Sequence, residues 1–194
     1  MALMIARVSP NKRHDLILNA AQVAKSQVPN LFLVFNGEVF GESPSYDSVQ
    51  EFIEGQSMQE WVKIIPFTED VRETHSLADL FVLCSEREGF GQCVIEAMSM
   101  EVPVIVAGSG ALPEIVRHGQ TGFVVPPGDA HALARQIVAA FAQPDIGRAI
   151  VPVARRHVER EFNICETVRK VTAIYELLLG RRAAPAAMGL AFMK

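Results

Sequence analysis

Glu88 and Glu96 bracket a glycine–aromatic–glycine turn, Gly89-Phe90-Gly91, which runs through Gln92 and Cys93 into an amphipathic segment. Just upstream lies the apolar run 79–84, which reads as a buried strand. Strand, glycine turn and helix start together set acidic groups on either side of an anion site. A helix beginning near Gly91 presents free N–H groups and the positive end of its dipole, which favour a phosphate oxygen. Gly89 and Gly91 permit positive φ and a close approach of the backbone to a ligand. Glu88 precedes the turn and can accept hydrogen bonds from sugar hydroxyls, while Glu96 sits about one and a half turns into the helix. Such a site suits a ligand that carries both hydroxyls and phosphates, the chemistry of a nucleotide sugar. Read alone, the same residues also describe a tight turn with two solvated glutamates.

Two cations, Arg7 and Lys12, follow the first apolar run. Arginine offers a planar fork to phosphate oxygens and lysine a compact point charge, so the pair can clamp a diphosphate. The plainer reading is a solvated helix start, Lys12-Arg13-His14. The loop Ile64-Ile65-Pro66-Phe67 can hold an aromatic base, or it can be a strand end packed into the core. A second glycine turn, Gly108-Ser109-Gly110, reads as a sharp strand-to-helix connection. Cys93 at a helix start has no histidine near it in sequence and reads as packing rather than as a reactive thiol.

The elements that must position these residues alternate regularly. Apolar runs at 2–8, 31–35, 61–65, 79–84, 103–107 and 123–125 read as six strands, with helical periodicity between them. Ser9-Pro10 looks like an N-cap with proline at the first helical position, followed by an apolar face of Leu16, Ile17, Ala20, Ala21, Val23 and Ala24. Further helices are expected near 46–55, 69–77, from the glycine turn to about Met100, at 112–117, and throughout the C-terminal third. Asp129 after Pro126-Pro127-Gly128 reads as a cap, and Asn163 with Glu166 as a variant capping box. Nearly continuous apolar strands separated by helices predict a single doubly wound α/β domain: a Rossmann-like parallel sheet of about six strands, helices on both faces and a helical C-terminus. Ligands of such sheets bind at the carboxyl ends of the strands. Loops 7–12, 36–38, 65–67, 85–91 and 108–110 all leave those ends.

At 194 residues the chain holds one substantial core. With 18 basic against 22 acidic side chains, the net charge of −4 carries no electrostatic footprint for nucleic acid. Three scattered cysteines exclude a disulfide framework or a zinc site by spacing, and the five histidines show no metal-binding spacing. No apolar run reaches the roughly 18 residues of a membrane span, and the N-terminus does not read as a signal peptide. A cytoplasmic protein is the expectation. No internal repeat is present, and the one biased segment is the small-residue tail 181–194.

In order along the chain stand Arg7 and Lys12, then Glu88-Gly89-Phe90-Gly91 with Glu96-Ala97-Met98, then Pro103-Val104-Ile105 with Glu114-Ile115-Val116, then Gly119-Gln120-Thr121-Gly122-Phe123-Val124-Val125-Pro126-Pro127-Gly128-Asp129. This order resembles the donor-binding C-terminal domain of family-4 (group 1) glycosyltransferases, retaining enzymes of the GT-B fold. The resemblance spans Arg7 to about Phe162. It implies that Arg7 and Lys12 hold a donor diphosphate, that Glu88 contacts the transferred sugar, and that Glu96 holds the ribose hydroxyls. Backbone groups of Gly89, Phe90, Gly91, Gln92 and Cys93 would then meet sugar and phosphates, with the base near Ile65. It further implies a UDP-, GDP- or ADP-sugar donor, no metal and no other cofactor. Three departures stand out: Ala6 and Arg13 replace glycines that usually flank the basic pair, and Pro66 stands where glycine is common.

By that resemblance residues 1–180 are one nucleotide-sugar-binding domain and 181–194 a tail that is disordered or docks elsewhere. The N-terminal acceptor domain is missing, so the chain is expected to be a separate domain, a truncated product or half of a split enzyme. Its C-terminal helix would lack the partner it crosses to. Oligomerisation through that helix and peripheral membrane association of the whole enzyme also stay open. A non-catalytic binding or regulatory module partnering another chain is the alternative. An NAD-dependent dehydrogenase fits the fold class, but Val8-Ser9-Pro10-Asn11-Lys12 offers no G-x-G-x-x-G after the first strand.

Overall fold

The computed structural model describes residues 1–37 and 44–180. Six strands, β1 (Ala2–Ile5), β2 (Leu33–Asn36), β3 (Val62–Ile65), β4 (Leu80–Leu83), β5 (Val104–Ala107) and β6 (Phe123–Val125), form one parallel sheet in the order β3-β2-β1-β4-β5-β6. The four inner strands are buried along their whole length, as sequences that are apolar except for Asn36 at the end of β2 require.

Eight α-helices accompany the sheet among the described residues: α1 (His14–Lys25), α2 (Pro44–Gly55), α3 (Val71–Ser76), α4 (Gln92–Ser99), α5 (Leu112–Ile115), α6 (Ala130–Ala142), α7 (Pro144–Glu161) and α8 (Ile164–Leu178). The β1–α1–β2 crossover steps one way along the sheet and β4–α4–β5 the other. Right-handed connections therefore put α1 and α4 on opposite faces. Helix α6 returns to pack on α1, and α7 packs on α4, so both faces are covered. The core between them includes Leu3, Met4, Ile17, Phe35, Phe81, Leu83 and Met98, each fully buried.

Several local expectations change. Strand β1 ends at Ile5, not Val8, because the chain leaves the sheet to build a 3₁₀ turn, Pro10–Lys12. Ser9 precedes that turn without a side-chain capping bond, and Arg13, at φ 53°, separates the turn from α1. Val23 is exposed, so the buried face of α1 is narrower than its period suggests. Helix α5 stops at Ile115, and the chain is extended at Val116. Asp129 caps α6 by accepting from the Ala132 N–H at 2.8 Å. Asn163 caps α8 through the Cys165 N–H, but Glu166 pairs with Arg169 instead of completing a capping box. Helix α8 buries no residue. Ile164, Val168, Val171, Tyr175 and Leu178 leave an uncovered apolar stripe along it. The small-residue tail 181–194 and Glu38 of the loop after β2 lie outside the described residues. No single helix among those described is long and apolar enough to cross a membrane.

Candidate functional site

Strand order reverses between β1 and β4, the switch point where loops from adjacent strands diverge and open a crevice at the carboxyl edge. Lys12 ends the 3₁₀ turn after β1, and Glu88 lies in the loop after β4. They meet there, 76 residues apart in sequence, with the Lys12 ammonium donating to a Glu88 oxygen at 2.7 Å. The Ser85 hydroxyl donates to the same oxygen at 3.0 Å, and the Gly91 N–H lies near this carboxylate. Partial burial alone would raise the Glu88 pKa. The adjoining ammonium, the hydroxyl and the amide outweigh it and hold the carboxyl below its ordinary value. A fixed cation and a fixed anion thus share one partly buried spot.

Asn11 locks the loop down from the other side. Its side-chain amide donates to the Arg87 carbonyl at 2.9 Å and accepts from the Arg87 N–H at 3.0 Å, while its own carbonyl accepts from the Glu86 N–H. Arg13 occupies a left-handed conformation that costs a non-glycine residue about 1–2 kcal/mol. Its guanidinium bonds Asp15 and Glu86, contacts that a glycine there could not make. Arg13 thus holds a conformation that favours glycine and gains a second tie to the loop.

The turn after β5, read from sequence as a mere connection, is the floor of the first. Gly110 has φ 55°, and a Cβ there would lie 2.6 Å from the Glu88 nitrogen and against its carbonyl oxygen. Ala111 donates its N–H to the Glu88 carbonyl at 2.9 Å, and the buried Ser109 hydroxyl donates to the Ser85 carbonyl. Gly91, at φ 77°, is the uncapped start of α4. Gly89 departs from expectation: its φ is not positive, and a Cβ there would meet only open space.

The other expected residues fall at various distances from this centre. Glu96 lies on the first turns of α4, accepting from the Gln92 amide at 2.9 Å. Burial pushes the Cys93 thiol up to about 12, against the pull of Lys12 and with the push of Glu88 and Glu96, so three charged groups surround a thiol that is packed rather than reactive. Phe90 is exposed and sits edge-on to Phe162, which in turn meets His157. Arg7 is exposed on the loop leaving β1. Ile65 ends the edge strand β3, half-buried against the core, with its carbonyl accepting from Gly37. It lies three strands from Glu88, roughly 14 Å at ~4.8 Å per strand, a span for an extended ligand and not a compact one. Asn11, Ser85, Ser109 and Gly110 lie in loops expected at the carboxyl ends of the strands, but none was singled out as a site residue. Only Gly110 carried a usable signal, as the second of two glycine turns entering helices. Among the described residues, no group of three or more His, Cys, Asp or Glu side chains is placed to hold a metal ion.

Known proteins share this fold. Residues 1–157 match the family model described as glycosyl transferases group 1. EpsD of Bacillus subtilis, named as a glycosyltransferase, is 34% identical over 170 residues, 88% of this chain and 43% of the relative. HepE of Anabaena, solved in complex with UDP-glucose, is 25% identical with a TM-score of 0.82, covering 92% of this chain and 48% of that one. The C-terminal domain of the group 1 glycosyl transferase LpcC of Francisella tularensis has a TM-score of 0.75 at 23% identity, a likeness of fold that covers 84% of this chain and 86% of that one. This chain spans less than half the length of EpsD and of HepE. With the family model covering most of its length, the chain belongs to the group 1 glycosyl transferases and has the fold of their C-terminal domain.

Proposed function

We propose that the chain is the donor-binding half of a retaining glycosyltransferase, which moves a sugar from a nucleotide diphosphate sugar to an acceptor hydroxyl. The observation that carries this reading is the meeting of Lys12, Glu88 and the uncapped start of α4 at the switch point of the sheet. HepE, with UDP-glucose bound, supports it as a structural neighbour. In this reading Arg7 and Lys12 face the diphosphate, Glu88 faces the sugar hydroxyls, and Glu96 the ribose. The backbone from Gly89 to Cys93 contacts sugar and phosphates, and the base lies toward Ile65. As the sugar–phosphate bond breaks, negative charge grows on the leaving oxygen, where a fixed cation lowers the barrier. Removing one such group typically costs about 10²–10³ in rate. The acceptor hydroxyl attacks from the face the diphosphate is leaving, and its proton passes to the departing diphosphate oxygen as the sugar–phosphate bond breaks. Three free cysteines suit a reducing cytoplasm.

The acceptor side of the cleft belongs, in this proposal, to an N-terminal domain or a partner chain, which also covers the apolar stripe of α8. Alone, the chain binds donor or nucleoside diphosphate and turns over poorly. Titration calorimetry with UDP, GDP and ADP tests this. Saturable binding of at least one is expected, and a folded sample that binds none of the three sinks the reading.

A further inference from the structure

Away from the switch point, a cavity of about 610 Å³ opens between the turn 117–121 and the outer side of α7. Arg117, Arg156, Arg160 and His157 line it, with Thr121 and Val153 beside them, and none of these belongs to the Lys12–Glu88 cluster. The balance of charge there is one-sided. Glu159, which also lines the cavity, is engaged by Arg155 at 2.8 Å, and Glu161 takes the Arg160 Nε at 2.8 Å. Arg117 and Arg156 form no ion pair among the described residues. Arg156 and Arg160 stand four residues apart on one helix face, a like-charge spacing that disfavours the helix unless a counter-charge lies between them.

His157 adds an independent sign. Its side chain is 7% exposed, it lines the cavity, and neither ring nitrogen has a hydrogen-bond partner among the described residues. The Ile115 carbonyl lies near the ring but outside hydrogen-bond geometry. A buried polar group left unmatched beside a cavity is costly, and a ligand atom that accepts from its N–H removes the cost.

We propose that this cavity is a second anion site that takes a phosphate group, gripped by Arg117, Arg156 and Arg160 with His157 donating at its floor. Guanidinium forks match tetrahedral phosphate oxygens, and three of them lining one cavity from two elements suit a doubly charged ester better than a single carboxylate, which fills one fork. The cavity has room for the ester's organic part beside Val153. The site does not rest on the donor reading, and it stands or falls separately from UDP binding.

The test follows the arginine Nε–H and His157 ring resonances of the full chain by NMR during titration with inorganic phosphate. Saturable shifts are expected at Arg117, Arg156, Arg160 and His157. An Arg117→Gln/Arg156→Gln double variant should weaken them at least tenfold, while Arg148→Gln, elsewhere on α7, leaves them unchanged. Arg156→Gln alone, a single exposed substitution, should weaken binding several-fold if the double variant folds poorly. Shifts that grow linearly without saturating, or that persist in the double variant, overturn the proposal. Flotation with vesicles of equal parts phosphatidic acid and phosphatidylcholine, against phosphatidylcholine alone, separates the two sources of phosphate. Capture lost in the double variant assigns the site to a lipid headgroup. Saturable phosphate binding without capture assigns it to a soluble ester.

Discussion

In the turn after β4, Gly89 looks onto open space; in the turn after β5, Gly110 is pressed against the backbone of Glu88. Both turns read Gly-X-Gly, and both lead from a strand into a helix. The first carries the side chains that can meet a ligand, and it is held largely by charge, through Lys12 to Glu88 and Arg13 to Glu86. The second carries no charged group of its own. It is held by backbone bonds and a buried hydroxyl, and its work is to fix where Glu88 stands. One glycine turn therefore serves as the site and the other as its support.

The largest expected effect is on the whole molecule, and it sets the pH range in which the turns can be compared. His14 and His75 are 2% and 0% exposed, without hydrogen-bond partners for their rings among the described residues. Burial lowers both to about 4. The unfolded chain holds these protons near pH 6.5, so between about 6.5 and 4 it binds more protons than the folded chain. Stability is therefore full above that window and falls as the pH drops through it, by up to about 3 kcal/mol for each histidine. Melts at pH 7 and pH 4.5 should differ widely, and a flat profile would contradict the burial of these rings. Glu88, held low by Lys12, keeps its charge through most of this window. Its stabilisation is lost only at lower pH, as its carboxylate protonates.

Gly110→Ala attacks the support. The added methyl meets backbone atoms of Glu88, which cannot swing aside as a flexible side chain would, and alanine at φ 55° is strained besides. A loss of about 3 kcal/mol is expected, roughly 6–12 °C in Tm for a chain of this size. Nucleotide binding, read by calorimetry, should fall with it even at temperatures where the variant is folded. A variant of normal stability and affinity would show that the two turns are not coupled.

This division of labour was only partly legible in the sequence. The strand runs and Asp129 as a cap follow from periodicity and local chemistry, which act within a few residues. The Lys12–Glu88 contact joins positions 76 apart, and motif order suggested a shared site without showing that the two side chains touch. Asn11 clamps Arg87 by side-chain bonds to a distant backbone, which leaves no pattern in either segment. Gly110 was visible as a glycine, but not what lay against it. Arg13 in a left-handed turn runs against residue preference and is explained only by the carboxylates it reaches once the chain is folded.

A smaller effect separates the two carboxylates of the first turn. Glu88 is held by Lys12 and Ser85, whereas Glu96 is held by Gln92 on the surface of α4. If Glu88 faces the sugar, Glu88→Gln should weaken a nucleotide sugar by about 10–100-fold, the worth of a charged hydrogen bond, and bare nucleoside diphosphate far less. Glu96→Gln should weaken both. Equal losses of the two ligands in the Glu88 variant would move that residue away from the sugar.

Gly89→Ala is the mildest change and the sharpest test of the contrast with Gly110. With nothing within 4 Å of the added methyl and no positive φ to strain, stability should stay within about 0.5 kcal/mol of the parent. The open side of Gly89 is nonetheless where the proposed ligand would approach the turn. A methyl there keeps the donor off the backbone, and an affinity loss of about tenfold for the nucleotide sugar is expected without a change in Tm. The two glycines then part cleanly, one variant losing fold and site together and the other losing the site alone. Unchanged affinity in Gly89→Ala would mean that the open face of the turn looks away from the ligand. Glu88 would then have to reach the sugar past a different stretch of backbone.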